Sequence, residues 1–419
     1  MSIRFGYACL ARGVPGTELR SCTLRTVSPE KLREITAHNL CALERLIDYN
    51  IKNRIPLFRI SSDLIPFGSS PVNTICWQVE FAQDFHRIGK KISDAGMRVS
   101  MHPGQYTVLN SPNPDVVRRA IADLNYHEQV LNLLGTDCSS KIILHVGGVY
   151  GEREASVRRF TQNWPLLGRG IRDRVVLEND ERSYDIAEVL CLAEQVGVPA
   201  VFDTLHHSIH HPQKEEPLRF WAKQCAETWI QSDGRQKIHY SQQEPGGRPG
   251  AHSQTIHMRE FLRFFENVED LDLDIMLEVK DKNISAVKCT LLTDQSCSIG
   301  MLEQEWDKYQ YAVLEHSHND YLAAQKVLQE KEGQPVCRFY AILEHALSLP
   351  VQPADTVKAA SRMWQCFDGI AQEREKKKFL SALKRYQSGK TSTQPIKNLL
   401  YRLAQKYRQT DLLESLYFL

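Results

Sequence analysis

KIILHVGGVYGEREASVRRFTQNWPLLGRGIRDRVVLEND, residues 141–180, decides the fold. It opens and closes on short runs of branched apolar residues, KIILH and RVVLE, and each run ends in a side chain able to bind a cation, His145 and Glu178. The stretch between them is long enough for a helix. Short apolar runs bounded by turn residues read as strands buried on both faces, and strands separated by helix-length stretches read as βαβ units of a parallel sheet.

The same pattern recurs on either side. IRFGYA from Ile3, PLFRISS from Pro56, RVSMHP from Arg98, PAVFD from Pro199, QKIHYS from Gln236 and DIMLEVK from Asp274 bring the runs to eight. Helix starts are signalled by Ser28 before Pro29 and by Pro114 with Asp115. Eight strand–helix units over the first 290 or so residues predict a (β/α)8 TIM barrel, whose usual size is about 250 residues. One polar residue at a strand end is normally a solvated turn. Seven of eight runs ending in Tyr, His, Glu or Asp is a different pattern, because barrel closure gathers those ends on one face.

The chain has 419 residues, so more than a hundred follow the eighth run. We expect the barrel over residues 1–292 and an α-helical C-terminal domain over 293–419. Helical spacing is visible in YAVLEHSHNDYLAAQKVL and VCRFYAILEHALSL, with Gly389 and Pro395 separating later helices. His316, His318 and Asp320 are expected to face solvent. A formal charge of +1 excludes a molecule held to nucleic acid by bulk attraction. Residues 373–409 carry eleven Lys or Arg against Glu373 and Glu375, which reads as a solvated helix face. The eleven cysteines are scattered without C-x-x-C spacing, as free thiols in a reducing compartment would be. No run approaches a membrane span, and MSIRFGYACL lacks the pattern of a secretory signal; a cytoplasmic monomer is expected.

The strand ends hold the chemistry. His102 precedes a sharp Pro103-Gly104 turn that leaves Gln105 and Tyr106 beside it, and His145 precedes two glycines that allow close backbone approach. A carboxylate such as Glu178 at the end of so apolar a strand is costly to bury unless it is paired or coordinates a cation. Asp203 and His206 stand three apart, with His207, His210 and His211 read as loop residues. Lys237 and His239, two apart, share one face of their strand. His252, in the loop EPGGRPGAHS, and Glu278 complete the set. Eight nitrogen and oxygen donors exceed what one ion uses, which predicts two or three divalent cations. Such a centre suits hydrolysis of a phosphate ester.

GYACL, FRISSDLIPFGS at 58–69, SMHPGQY, ILHVGG, LENDERSY, VFDTLHH, KIHYSQQ and GAHS together resemble, in order and spacing, the UV damage endonuclease family over residues 3–282. The resemblance implies a barrel related to endonuclease IV. It also implies incision of duplex DNA immediately 5′ of ultraviolet photoproducts, as the start of excision repair in the cytoplasm of a bacterial cell, on the nucleoid when bound to DNA. The family's trinuclear manganese cluster maps onto His102, His145, Glu178, Asp203, His206, His239, His252 and Glu278. Its carboxylated lysine maps onto Lys237, giving Lys237, Glu178 and His239 as the catalytic set. A Gln–Tyr wedge opposite the lesion matches Gln105 and Tyr106, and a lesion-contacting tyrosine matches Tyr7. Where relatives often have a polar residue after the first strand and a histidine after LIPF, this chain has Leu10, Ala11 and Ser70. From about Pro335 the chain resembles a helical domain of unknown function attached to other bacterial proteins, through SALKRYQSGKTSTQPIKNLLYRLAQKY; its partner is open. An abasic-site endonuclease, a metal-dependent sugar isomerase sharing the barrel, and a metal-free binding module are the other readings.

Overall fold

A computed structural model describes residues 3–214, 216–330 and 335–419. Eight parallel strands close into a barrel in sequence order, the last pairing with the first. They are β1 (Arg4–Ala8), β2 (Leu57–Ile60), β3 (Arg98–Met101), β4 (Ile142–His145), β5 (Val175–Glu178), β6 (Ala200–Asp203), β7 (Gln236–Tyr240) and β8 (Leu273–Leu277). Seven fall inside one of the eight apolar runs, and β8 begins one residue before its run. The main helices that follow them in turn are α1 (Pro29–Lys52), α2 (Ala82–Asp94), α3 (Pro114–Leu133), α4 (Arg153–Asn163), α5 (Ile186–Val196), α6 (Leu218–Ala226), α7 (Met258–Glu266) and α8 (Asn283–Thr293).

Local signals act where expected. Ser28 caps α1 by accepting from Lys31 N, with Pro29 in the first turn, where its missing N–H leaves no donor unsatisfied. Asp185 and Glu188 form a capping box on α5, which ends at Gly197 with φ 72°.

Alternation along each strand sends side chains to two different interiors. Phe5, Tyr7 and Phe58 point outward to the helix layer, where Phe5 meets Phe261 edge-on at 5.6 Å. Inside the barrel, Ala8, Leu57 and Met276 make one apolar cluster, and Ile143, Val176 and Val201 make another over Trp229. Of these, the fully buried Leu57, Met276, Ile143, Val176 and Val201 each contribute about 1.5–3 kcal/mol through lost contact with water. At the N-terminal end of the strands, Asp274 accepts two hydrogen bonds from Arg4, both 2.7 Å, and one from Arg98 at 2.8 Å. That Arg–Asp–Arg group closes this end of the barrel and leaves the other end to the strand termini.

The chain divides into two compact units. One runs through Ala11 and resumes over Gly16–Thr290; the other takes Arg12–Pro15 and Leu291–Leu419, so the division falls inside α8. From Leu291 on, the described residues of the second unit form helices joined by short connections: α9 (Ile299–His316), α10 (His318–Glu330), α11 (Pro335–Ser348), α12 (Pro353–Gln365), α13 (Glu373–Gln387) and α14 (Gln394–Lys406), with short turns after them. The expectation that His316, His318 and Asp320 face solvent is corrected. The helical run breaks at Ser317, which is extended at φ −155°, and the turn tucks all three into half-buried positions. His316 Nδ1 then donates to Leu349 O at 2.6 Å, and Asp320 pairs with His345 at 2.9 Å.

Candidate metal centre

Sheet register brings the strand-end residues together. His145 stands opposite Glu178, and Asp203 opposite His239, as Cα partners on adjacent strands. His102 and Glu278 each follow the last residue of their strands. Four of these side chains — Glu178, Asp203, His239 and Glu278 — offer ligand atoms all within 4.8 Å of one another, and His102, His145 and Glu178 do the same. Glu178 belongs to both groups. Its Oε2 lies 3.0 Å from His102 Nε2 and 3.5 Å from His145 Nε2, while Oε1 meets His239 Nδ1. His239 Nδ1 is also 3.2 Å from Glu278 Oε1.

The electrostatics are those of a cation seat. Burial alone would raise the Glu178 carboxyl, but His239 and His145 hold it well below the usual carboxylate range. Burial pushes His102 down to about 4, so its imidazole is neutral. Its Nδ1 lies 3.0 Å from Pro103 O. Donation there leaves Nε2 as a bare lone pair facing Glu178 Oε2, two acceptors that a cation between them would reconcile. Burial opposes charge on His206, yet Asp203, Glu178, Glu278 and Glu181 lift it to about 9, a sign of surplus negative charge around it.

Buried polar atoms normally find partners. His145 Nδ1, Asp203 Oδ2 and Lys237 Nζ have none. For Asp203 the reason is visible: Oδ1 caps the short helix Thr204–Ile209 by accepting from His206 N at 2.8 Å, which positions His206 and leaves Oδ2 free. These orphaned donors and acceptors, with the shared carboxylate, fit a site for divalent ions. His206 and His252 lie outside the two tight groups and extend the site outward, their rings 5.9 Å from His145 and 6.5 Å from each other respectively.

Lys237 is fully buried, the Cα partner of Asp274 on the adjacent strand. Burial drives its amine well below the ordinary lysine value, and Arg98, Arg59 and Arg4 push the same way against Asp274 alone. An amine pushed toward its neutral form and without a partner is a nucleophile that can take up carbon dioxide.

The loop after β3 carries Gln105 and Tyr106, both exposed, Tyr106 to 83%. Clefts open on both sides of it. One, of 730 Å³, is lined by Gln105, Tyr106, Arg119, His145, Glu181 and His206. The other, of 690 Å³, is lined by Cys9, Ser61, Gly68, His102, Tyr106 and Arg119. Gly147, at φ 109°, lets the loop after β4 pass close to Asn110; a Cβ there would sit 2.4 Å from Asn110 Oδ1.

Two residues differ from expectation. Tyr7 does not reach the clefts: strand alternation turns it outward, it has no exposed surface, and its hydroxyl donates to Asn50 Oδ1 of α1 at 2.8 Å. Its assignment to lesion contact is corrected to a structural one. Tyr7→Phe is expected to lower stability by about 1 kcal/mol through the lost hydrogen bond and to leave incision of damaged DNA unchanged, as thermal melts and nicking assays would show. Arg59 is the residue the sequence reading passed over. It is buried inside the ligand group, bonds to Glu278 and lies 3.0 Å from His239 Nε2. The signal was its parity, opposite to outward Phe58 on β2.

A barrel with imidazoles and carboxylates pooled at its mouth, below a ridge between two clefts, defines a (β/α)8 protein of the metal-site kind. The chain belongs to the UV-endonuclease UvdE family, whose profile matches residues 3–303. A second profile, of a family of unknown function designated DUF1722, matches residues 310–419. The UV DNA damage endonuclease of Clostridium perfringens is 37% identical over 352 residues, 83% of this chain and 84% of that protein. That of Bacillus cereus strain 03BB102 is 33% identical over 299 residues, 69% of this chain and 93% of its own. The crystal structure of SacUVDE superposes with a TM-score of 0.65 at 38% identity, covering 68% of this chain and 96% of the other.

Proposed function

We propose that the protein is a repair endonuclease that recognises cyclobutane dimers and 6-4 photoproducts in duplex DNA and hydrolyses the phosphodiester bond 5′ of the lesion. The observation that carries this reading is Glu178, one carboxylate shared by two ligand groups at the barrel mouth of a chain in the UV-endonuclease family. We assign His102, His145, Glu178, Asp203, His206, His239, His252 and Glu278 as the ligands of a manganese cluster, three ions in all. Bound manganese would generate a hydroxide nucleophile near neutral pH and neutralise charge building on the phosphate. Glu178 and His239 hold that cluster in register, and Lys237, carboxylated, adds an acidic group beneath it. Eleven free thiols suit a reducing compartment, and no helix among the described residues is long and apolar enough to cross a membrane. We place its work in the cytoplasm.

Gln105 and Tyr106 form the wedge. Unstacking costs a few kcal/mol and least where the dinucleotide is damaged, and an amide beside an aromatic ring fills the gap it leaves. Stacking on an aromatic ring is worth about 1–3 kcal/mol per base. Tyr106→Ala is therefore expected to cut the preference for irradiated over intact DNA about tenfold or more while metal content stays the same; an unchanged preference would remove the wedge role.

Supercoiled plasmid, irradiated, depurinated or untreated, incubated with manganese or with a chelator, tests the whole reading. Nicking of irradiated plasmid only with metal is the expected result. Nicking confined to depurinated plasmid would make this an abasic-site enzyme, and no nicking of either would return the barrel to the isomerases.

A further inference from the structure

The second compact unit carries a surface that incision chemistry does not use. Of the eleven Lys and Arg in residues 373–409, two are ion-paired: Lys397 with Glu315 and Lys406 with Glu375, both at 2.7 Å. The other nine are exposed and form no ion pair among the described residues. Soluble surfaces ordinarily mix both signs of charge. Here the structure adds alignment to composition. α13 docks through Phe379, stacked on Trp364 of α12 at 4.5 Å, and Leu383 is buried on the same side. Arg374, Lys377, Lys378, Lys384 and Arg385 recur at three- and four-residue spacing on the opposite side, a row about 16 Å long at 1.5 Å per residue. Lys390, in the turn before α14, extends it.

We propose that this cationic face of α13 is a sequence-independent docking surface for the phosphate backbone of duplex DNA. Duplex DNA carries one negative charge per ~1.7 Å of axis, so an unpaired cation row displaces counterions wherever it lies along the helix. A bilayer is the poorer occupant: an interfacial helix needs a free apolar face, and that of α13 is taken up by Trp364, leaving Leu380 as its one exposed large apolar residue. The inference rests on this chain being a DNA enzyme, not on which lesions it cuts. The face would hold the protein on undamaged duplex between lesions.

The test uses the full chain, with chelator present so that incision plays no part. Binding to a labelled undamaged duplex is measured between about 50 and 200 mM salt, for the parent and for a variant with Lys377, Lys378, Lys384 and Arg385 all changed to Gln. Each lost phosphate contact removes about 0.9 from the slope of log affinity against log salt. The slope is expected to fall by as much as about 3.6, with affinity at the low-salt end down tenfold or more. A variant with Lys377, Lys378 and Lys384 changed to Arg keeps both. A second variant, Arg374→Gln and Lys390→Gln, gives an independent reading should the first fail to fold by circular dichroism. Unchanged slopes in folded variants would overturn the proposal. So would loss of binding confined to single-stranded RNA or to anionic vesicles.

Discussion

Glu178→Gln is expected to reduce incision of irradiated plasmid on the order of 10³-fold, about 4 kcal/mol of barrier. The amide has the same shape and can still accept from one imidazole, so the fold should persist. It cannot carry the negative charge that both ligand groups draw on, because Glu178 is the one residue common to them. Metal content, measured by elemental analysis of the purified variant, should fall with activity. A variant that retained full incision and a full complement of metal would remove Glu178 from the centre.

The second large effect concerns Lys237, and it separates activity from stability. Methionine fills a similar volume and has no proton to lose. The Lys237 amine has no partner to forfeit, so Lys237→Met in the metal-free protein should melt no lower than the parent and, near neutral pH, higher. The sign follows from the depressed value of the folded state. Folding disfavours the proton on this lysine, at a cost that is largest at low pH and disappears as pH rises to the ordinary lysine value of about 10.4. The methionine variant's advantage should therefore shrink as pH is raised. Incision, by contrast, should fall about 10–100-fold, the scale of losing a group that supports metal ligands. Intact mass recorded without acid should show added carbon dioxide on the parent and none on the variant. Undiminished incision by Lys237→Met would show that no carboxylated lysine is required.

Much of the barrel was legible because a parallel strand buried on both faces cannot hide its composition: KIILH and RVVLE needed no alternation to be recognised. The ends of β4, β5, β6 and β7 were equally plain, since a carboxylate or imidazole closing an apolar run has few other reasons to be there. Orientation was harder. Tyr7 and Ala8 are neighbours in one five-residue strand, and nothing local says which of them faces the barrel axis; the outward direction of Tyr7 is set by Asn50 and Phe58, which come from elsewhere in the chain. Arg59 escaped notice for a related reason. Within PLFRISS it looks like a strand interrupted by a surface charge, and only closure of the barrel turns that charge toward Glu278. The break at Ser317 was hidden because helical spacing runs through it almost in phase.

The Arg4–Asp274–Arg98 group at the base of the barrel has a consequence for the order of events. With that end filled by salt-bridged side chains and the middle by Val176, Val201 and Met276, the strand ends communicate with solvent through the upper rim. On the proposed wedge role, the rim is also where a duplex would lie for Tyr106 to enter it. On the proposed reading, ions, water and carbon dioxide would enter by the same rim as the substrate, so loading would have to precede DNA binding.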